Sequence, residues 1–222
     1  MAENPKIRSG DESPHSKKGA TMSRWLWAVC LCSIPMSVIN AADLPQPTGD
    51  AIVSPDAKLE LLFTRLAKIE GGLTEGPAVA PDGSIYFSDI PMGSDKGMIL
   101  RFDPKTKKTT VFAEDSHKSN GLICNSEGQL LAAEGADFGG RGVARWDLKT
   151  GQRTVIVDRF QGKKFNAPND ICVDRMGRIY FTDPKYVGPE PRELEHRSVY
   201  RIDRDGSVIE ITHEVGKPNG KA

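Results

Sequence analysis

Four short stretches place an oxygen-bearing side chain directly before a residue that bends the chain. They are Thr74-Glu75-Gly76-Pro77, Ser119-Asn120-Gly121-Leu122, Pro168-Asn169-Asp170 and Pro218-Asn219-Gly220. One carboxylate and three amide carbonyls are hard oxygen donors, suited to a cation such as Ca²⁺, which takes about six to eight oxygens and accepts neutral carbonyls readily. A soft metal is not suggested, because no Cys/His cluster has ligand spacing and the histidines, His15, His117, His196 and His213, are scattered. The same residues have a plainer account. Asn-Gly and Pro-Asn are ordinary turn chemistry, and a carboxylate before Gly-Pro suits an exposed turn equally well. For any one asparagine the turn is the better account, and it is the coincidence of all four at one structural position that favours a site.

That shared position follows from a repeat. The segments Gly83–Asp89, Gly128–Glu134 and Gly177–Asp183 are copies of one pattern, 45 and 49 residues apart. Interleaved with them, Arg101-Phe102-Asp103, Arg145-Trp146-Asp147 and Arg201-Ile202-Asp203 recur at 44 and 56 residues, each followed by turn residues and another β-rich run. About four short strands in roughly 45 residues is the period of a β-propeller blade. Within one unit, Phe165–Pro184 reads as loop, strand, tight turn at Met176-Gly177 and a second strand over Arg178–Thr182, with Asn169 and Asp170 where the first strand begins. The innermost strand of every blade lines the axis, so equivalent positions in successive blades converge there. The fold class is therefore all-β, and the region from residue 60 to 222 holds about three and a half blades at roughly 45 residues each. Since Pro218-Asn219-Gly220 reads as the opening of another unit, the sequence is expected to be a C-terminally truncated, open arc.

The remaining segments are read from composition. With 30 basic and 30 acidic residues there is no electrostatic case for nucleic acid or an anionic membrane surface. Residues 1–21 are a polar leader with too little apolar surface to fold. Residues 22–42, with Arg24, the apolar run Trp25–Ile39 and Ala41-Ala42, describe a signal peptide starting near Met22 and cleaved near Ala41 or Ala42, the rival being an uncleaved anchor. Export to the periplasm or beyond follows, with no membrane attachment after cleavage. Residues 43–59 read as a linker, residues 60–222 as the partial propeller, and Leu59–Ala67 as an opening strand. Cys30 and Cys32 leave with the signal peptide, and Cys124 and Cys172 are expected as buried thiols on neighbouring blades rather than a disulfide.

Taken together, Glu75-Gly76-Pro77, Ser119-Asn120-Gly121-Leu122, Phe165–Asp170, Tyr180–Pro184 and Lys217-Pro218-Asn219-Gly220 resemble the gluconolactonase/senescence-marker-protein/luciferin-regenerating-enzyme family of six-bladed propellers. The resemblance implies hydrolysis of a small-molecule sugar lactone with one divalent metal ion on the axis. Calcium comes first, and Zn, Mg and Mn are alternatives. By position it implies Glu75, Asn169 and Asn219 as metal ligands and Asn120, Asn169 and Asp170 as substrate-binding residues. The family's further metal-binding aspartate, a candidate base or nucleophile, would lie beyond residue 222. No catalytic residue is thus assigned in this chain, and the fragment is expected to be inactive although the complete parent would be a monomeric enzyme. Two other classes stay open: a non-catalytic binding propeller, and a different metal-dependent hydrolase of the same fold, phosphotriesterase-like in chemistry.

Overall fold

Turns that end on a left-handed glycine divide the chain into short strands. Gly83, Gly128 and Gly177 have φ of 85°, 73° and 79°. Each donates its N–H to the carbonyl three residues back, of Ala80, Asn125 and Asp174, at 2.9, 3.1 and 2.9 Å. The side chains of Asp82, Asn125 and Asp174 accept a backbone N–H two residues ahead, from Ser84, Glu127 and Met176, at 2.9, 3.1 and 2.9 Å. Short Asx side chains close such turns locally, and glycine adopts the positive φ without a steric cost.

The computed structural model describes residues 56–64 and 72–220, which carry fourteen strands. The first sheet is β1 (Leu73–Val79), β2 (Ile85–Ile90), β3 (Met98–Asp103) and β4 (Lys108–Ala113). The second is β5 (Ser119–Cys124), β6 (Leu130–Glu134), β7 (Gly142–Trp146) and β8 (Arg153–Val157). A small hairpin follows, β9 (Arg159–Phe160) and β10 (Lys163–Lys164), and its two loop residues, Gln161 and Gly162, both have positive φ, 52° and 79°, as a type I′ turn requires. The third sheet is β11 (Ile171–Val173), β12 (Ile179–Asp183), β13 (Ser198–Ile202) and β14 (Val208–Thr212). Each four-stranded sheet is an antiparallel meander in sequence order, the construction of a propeller blade. The three copies of the first sequence pattern fall on β2, β6 and β12, and the Arg-x-Asp copies end β3 and straddle the ends of β7 and β13. The described residues thus hold three complete blades, with Pro218–Gly220 beyond β14.

Period-two alternation in the middle blade decides how the blades pack. Every residue of β6 is buried. Leu130 and Ala132 join Tyr86, Ile99 and Trp146 on one side, whereas Leu131 and Ala133 join Phe165, Phe181 and Tyr200 on the other. A strand covered on both faces reads as a nearly continuous apolar run, as Leu130–Ala133 do before the buried, arginine-paired Glu134. Aromatic rings line both seams: Phe112 of the first sheet meets Trp146 of the second at 6.2 Å, and Phe165 packs on Phe181 at 5.0 Å. Such pairs contribute about 0.5–1.5 kcal/mol each beyond the area they bury.

One expected strand is absent. Leu59–Thr64 carries no strand, and Leu59 and Leu61 are exposed; residues 65–67 lie outside the described part. A strand needs a backbone edge to pair with, and this segment meets a side-chain face instead, Phe63 lying against Phe87 with ring centroids 5.5 Å apart. Cys124 and Cys172 are not joined in a disulfide, and both are half-buried rather than fully so. The leader, the signal segment and the linker up to residue 55 lie outside the described residues.

Candidate functional site

Where each inner strand starts, the backbones of adjacent blades touch. The β1–β2 pairing shifts register between Glu75 and Ala78, and the β5–β6 pairing between Ser119 and Leu122. A bulge of this kind re-aims side chains at the rim of a sheet. Gly76 has φ 52°, and a Cβ there would lie 2.3 Å from the Asn120 carbonyl oxygen; one on Gly121 would lie 2.8 Å from Asp170 Cα. Hydrogen bonds close the same junctions: Ser88 Oγ donates to Asn120 O at 2.8 Å, and Gly121 N donates to Asn169 O at 2.7 Å. In the third blade Asn169 N donates to Thr182 O at 2.9 Å, and Thr182 N donates to Asp170 O at 3.0 Å.

These junctions bring the four sequence candidates together. Glu75, Asn120, Asn169 and Asn219 all line one cavity of about 220 Å³. A more open cleft of about 540 Å³, lined by Tyr86, Arg101 and Lys149 among others, contains none of them, so the smaller cavity is where their chemistry would meet. Asp170 is placed differently. It does not line the cavity; its Oδ1 accepts the Ile171 N–H at 2.9 Å and its backbone packs under Gly121. In this position it shapes the junction beside Asn169.

Two charged residues of the cavity wall escaped the sequence analysis. Lys118 is buried, and its Nζ donates to Pro91 O at 2.6 Å and Gly93 O at 2.8 Å, with Asp137 Oδ2 at 3.9 Å. Burial pushes its ammonium below the usual lysine range, against the pull of the Asp137 carboxylate. Asp137 Oδ2 also accepts the Gly93 N–H at 2.6 Å, so this pair ties the loop after β2 to the loop after β6. Their tertiary pairing left no sequence motif; the nearest signal was the place of Lys118 two residues before Asn120.

Each blade carries a buried acid at or next to the end of its second strand, Asp89, Glu134 and Asp183. The sequence repeat displayed these acids without revealing their partners. Asp183 accepts the N–H groups of Asn166 and Ala167 at 2.8 and 2.6 Å and so holds the loop that delivers Asn169. Burial pushes its carboxyl up to about 6 despite these donors. Glu134 takes a two-pronged grip from Arg153, at 2.6 Å on each oxygen. Burial pushes the Glu134 carboxyl up and the guanidinium opposes it.

The cavity oxygens fit a hard cation in donor type, with Glu75 the one carboxylate among the four sequence candidates. Among the described residues, no cluster of three or more His, Cys, Asp or Glu side chains could hold a metal by itself. The histidines are not all apart: His196 and His213 stack at 4.3 Å, away from this cavity's lining.

The family model described as "SMP-30/Gluconolactonase/LRE-like region" matches residues 73–222, from the first residue of β1 onward. The chain belongs to the SMP-30/gluconolactonase/LRE-like family. The match takes in every one of the four cavity oxygens. The chain is 30% identical over 190 residues to a gluconolactonase of Zymomonas mobilis subsp. mobilis, covering 79% of this chain and 51% of that protein. It is 31% identical over 161 residues to the pentonolactonase XacC of Haloferax volcanii, covering 72% and 49%. The solved structure of a gluconolactonase from Xanthomonas campestris superposes with a TM-score of 0.56 at 30% identity, over 63% of this chain and 47% of that one. The chain thus spans about half the length of these relatives.

Proposed function

We propose that this cavity serves lactone hydrolysis assisted by one divalent cation, with Ca²⁺ favoured and Zn²⁺, Mg²⁺ or Mn²⁺ as alternatives. The observation that carries the proposal is the meeting of Glu75, Asn120, Asn169 and Asn219 in one cavity. The relatives named as gluconolactonase and pentonolactonase support the choice of substrate class. Glu75, Asn169 and Asn219 would hold the cation, which when bound polarises the lactone carbonyl as a Lewis acid. Glu75 supplies the negative charge that neutral amides lack. The amide of Asn120 would orient the lactone, with Asn169 ligating or orienting, while the Asp170 carboxylate and backbone keep the Asn169 junction in place. Water adds to the carbonyl carbon, the ring C–O bond breaks, and the freed oxygen takes a proton to give a hydroxy acid. No residue of this chain is assigned as the base.

The test is lactone turnover with and without chelator. Glu75→Gln keeps the side chain's shape and removes its charge, and we expect it to lower the rate by roughly two orders of magnitude or more while weakening cation binding measured by calorimetry. Asn169→Ala should also impair turnover, and Asn120→Ala less so. Turnover by this chain alone is expected to be slight, because Glu75 is the only formal charge among the four donors; a graft onto the remaining length of the Zymomonas relative should raise it. Chelator-insensitive hydrolysis would remove the metal from the mechanism, and binding without turnover in the graft would favour a binding module. We further propose that the chain is exported, on the strength of Arg24, Trp25–Ile39 and Ala41-Ala42. N-terminal sequencing of the exported protein should begin at or beside Ala42, and an intact Met22 there would reject cleavage.

A further inference from the structure

The cavity has two unlike sides. Glu75, Asn120, Asn169 and Asn219 gather where the inner strands meet, whereas Leu73, at the opening of β1, and Ile90, Met92, Ala136, Tyr186 and Val187 line the rest together with the paired Lys118 and Asp137. Four of these stay well exposed to solvent: Leu73 at 60%, Met92 at 59%, Tyr186 at 42% and Val187 at 44%. Large apolar side chains left open around a concave site mark the surface a ligand covers.

The loops carrying this wall are pinned by charged groups. Met92 lies between Pro91 and Gly93, whose carbonyls both receive the buried Lys118 ammonium, and the Gly93 N–H is held by Asp137. Val187 is fixed from the other side, where Lys185 Nζ donates to the carbonyls of Val187 and Gly188 at 3.0 and 2.8 Å. Glu190 then binds that loop to the blade-two loop by accepting the N–H groups of Asp137 and Phe138 at 3.1 and 2.6 Å. Tyr186 is braced by Lys217, whose Nζ lies 4.3 Å from the ring centroid, and its hydroxyl reaches Pro218 O at 3.4 Å. Of the charged groups that line the cavity beside this wall, Lys118 is committed to the Pro91 and Gly93 carbonyls and Asp137 to the Gly93 N–H. The apolar side therefore has little to offer a row of hydroxyls, which would lose water without gaining partners.

We propose that the lactone taken by this site carries an apolar substituent, a short alkyl or aryl group seated against Leu73, Met92, Tyr186 and Val187, in preference to the hydroxyl-rich body of an aldonolactone. This rests on the lactone assignment above and narrows it. In a cavity of about 220 Å³ the substituent is short.

The test measures binding, not turnover. The chain is titrated by calorimetry and ligand-observed NMR, in the presence of Ca²⁺, with γ-butyrolactone, γ-hexalactone and γ-octalactone, with glucono-1,5-lactone, and with 4-octanol as a ring-free control. Each added methylene should tighten binding about 4-fold, equivalent to about 0.8 kcal/mol, until the wall is filled. Met92→Ser and Val187→Ser, both at exposed loop side chains, should flatten that progression, weakening γ-octalactone binding more than γ-butyrolactone binding. A flat series, or glucono-1,5-lactone binding more tightly than γ-octalactone, overturns the proposal and leaves the lactone assignment standing. Equal binding of 4-octanol and γ-octalactone supports the apolar wall and overturns the lactone assignment. If no lactone and no alcohol binds, both fall together.

Discussion

Asp183 shows how much one buried carboxyl contributes to delivering a site residue. Its two oxygens organise Asn166 and Ala167, and the chain then runs through Pro168 to Asn169. Burial raises its pKa from 3.8 to about 6, and the sign of the stability effect follows. Below pH 3.8 the group is protonated in both folded and unfolded chains. Between 3.8 and about 6 the unfolded chain ionises while the folded chain keeps its proton, so the folded state binds more protons and its stability falls as pH rises; above 6 the loss is complete. The size of that loss is about 3 kcal/mol. Urea unfolding between pH 4 and 7.5 should show a steeper decline in the wild type than in Asp183→Asn, which keeps only the contribution of other raised carboxyls such as Glu134. Equal pH slopes in the two proteins would mean that Asp183 is not the group responsible. Asp174, held down to about 2 by Arg178 and backbone N–H donors that outweigh its desolvation, titrates well below this window and does not confuse it.

Among the elements, the inner-strand starts are the demanding ones. Gly121 does not have a left-handed φ, so its constraint is space alone: a Cβ would press on Asp170 Cα and Oδ1 at 2.8 Å and on Asn169 O at 2.9 Å. Most of those atoms are backbone and cannot swing aside. Gly121→Ala should therefore cost about 1–3 kcal/mol, as overpacking generally does, and should weaken cation binding by separating Asn120 from Asn169. Gly83→Ala, at a turn with nothing within 4 Å, should lose stability through its φ of 85° yet leave cation binding intact. Melting temperature and cation titration of the two variants separate these cases; equal loss of cation binding would show that the blade junction is not what spaces the donors. The same contrast explains what was legible in the sequence. Turns are local chemistry, so Gly83, Gly128 and Gly177 revealed the blades, and the four oxygens could be aligned by their place in each unit. Lys118 with Asp137, Glu134 with Arg153 and Asp183 with Asn166 are pairings across sequence gaps that leave no local signature. Leu59–Thr64 has strand-like composition, but pairing depends on an available edge, which composition does not report.

For the whole molecule, the contrast between seams and outer faces sets the expected behaviour in solution. The two seams around blade two bury Leu130, Leu131, Phe165, Phe181 and Tyr200 almost completely. Away from them, apolar side chains stand in water: Val79 at 66% on the first strand of blade one, Val111 at 41% on its last, and Ile209 at 41% and Ile211 at 45% on β14. Alternation along β14 places Ile209 and Ile211 on one face, separated only by Glu210, so the exposure is contiguous rather than scattered. Strands of this composition with open faces are templates for association. A single charge balance of 30 against 30 adds little repulsion to oppose it. We therefore expect the isolated chain to elute from size exclusion as a broad, concentration-dependent distribution, and Ile209→Lys combined with Ile211→Lys to shift it toward a monomer without altering the cavity, which those residues do not line. The double substitution tests the cause and not only the outcome. Association unchanged by the two lysines would place the contact elsewhere, on the Val79 face or the Leu59–Thr64 segment, while a sharp monomer peak and one cooperative melt for the unmodified chain would show that three blades cover enough apolar surface to stand alone.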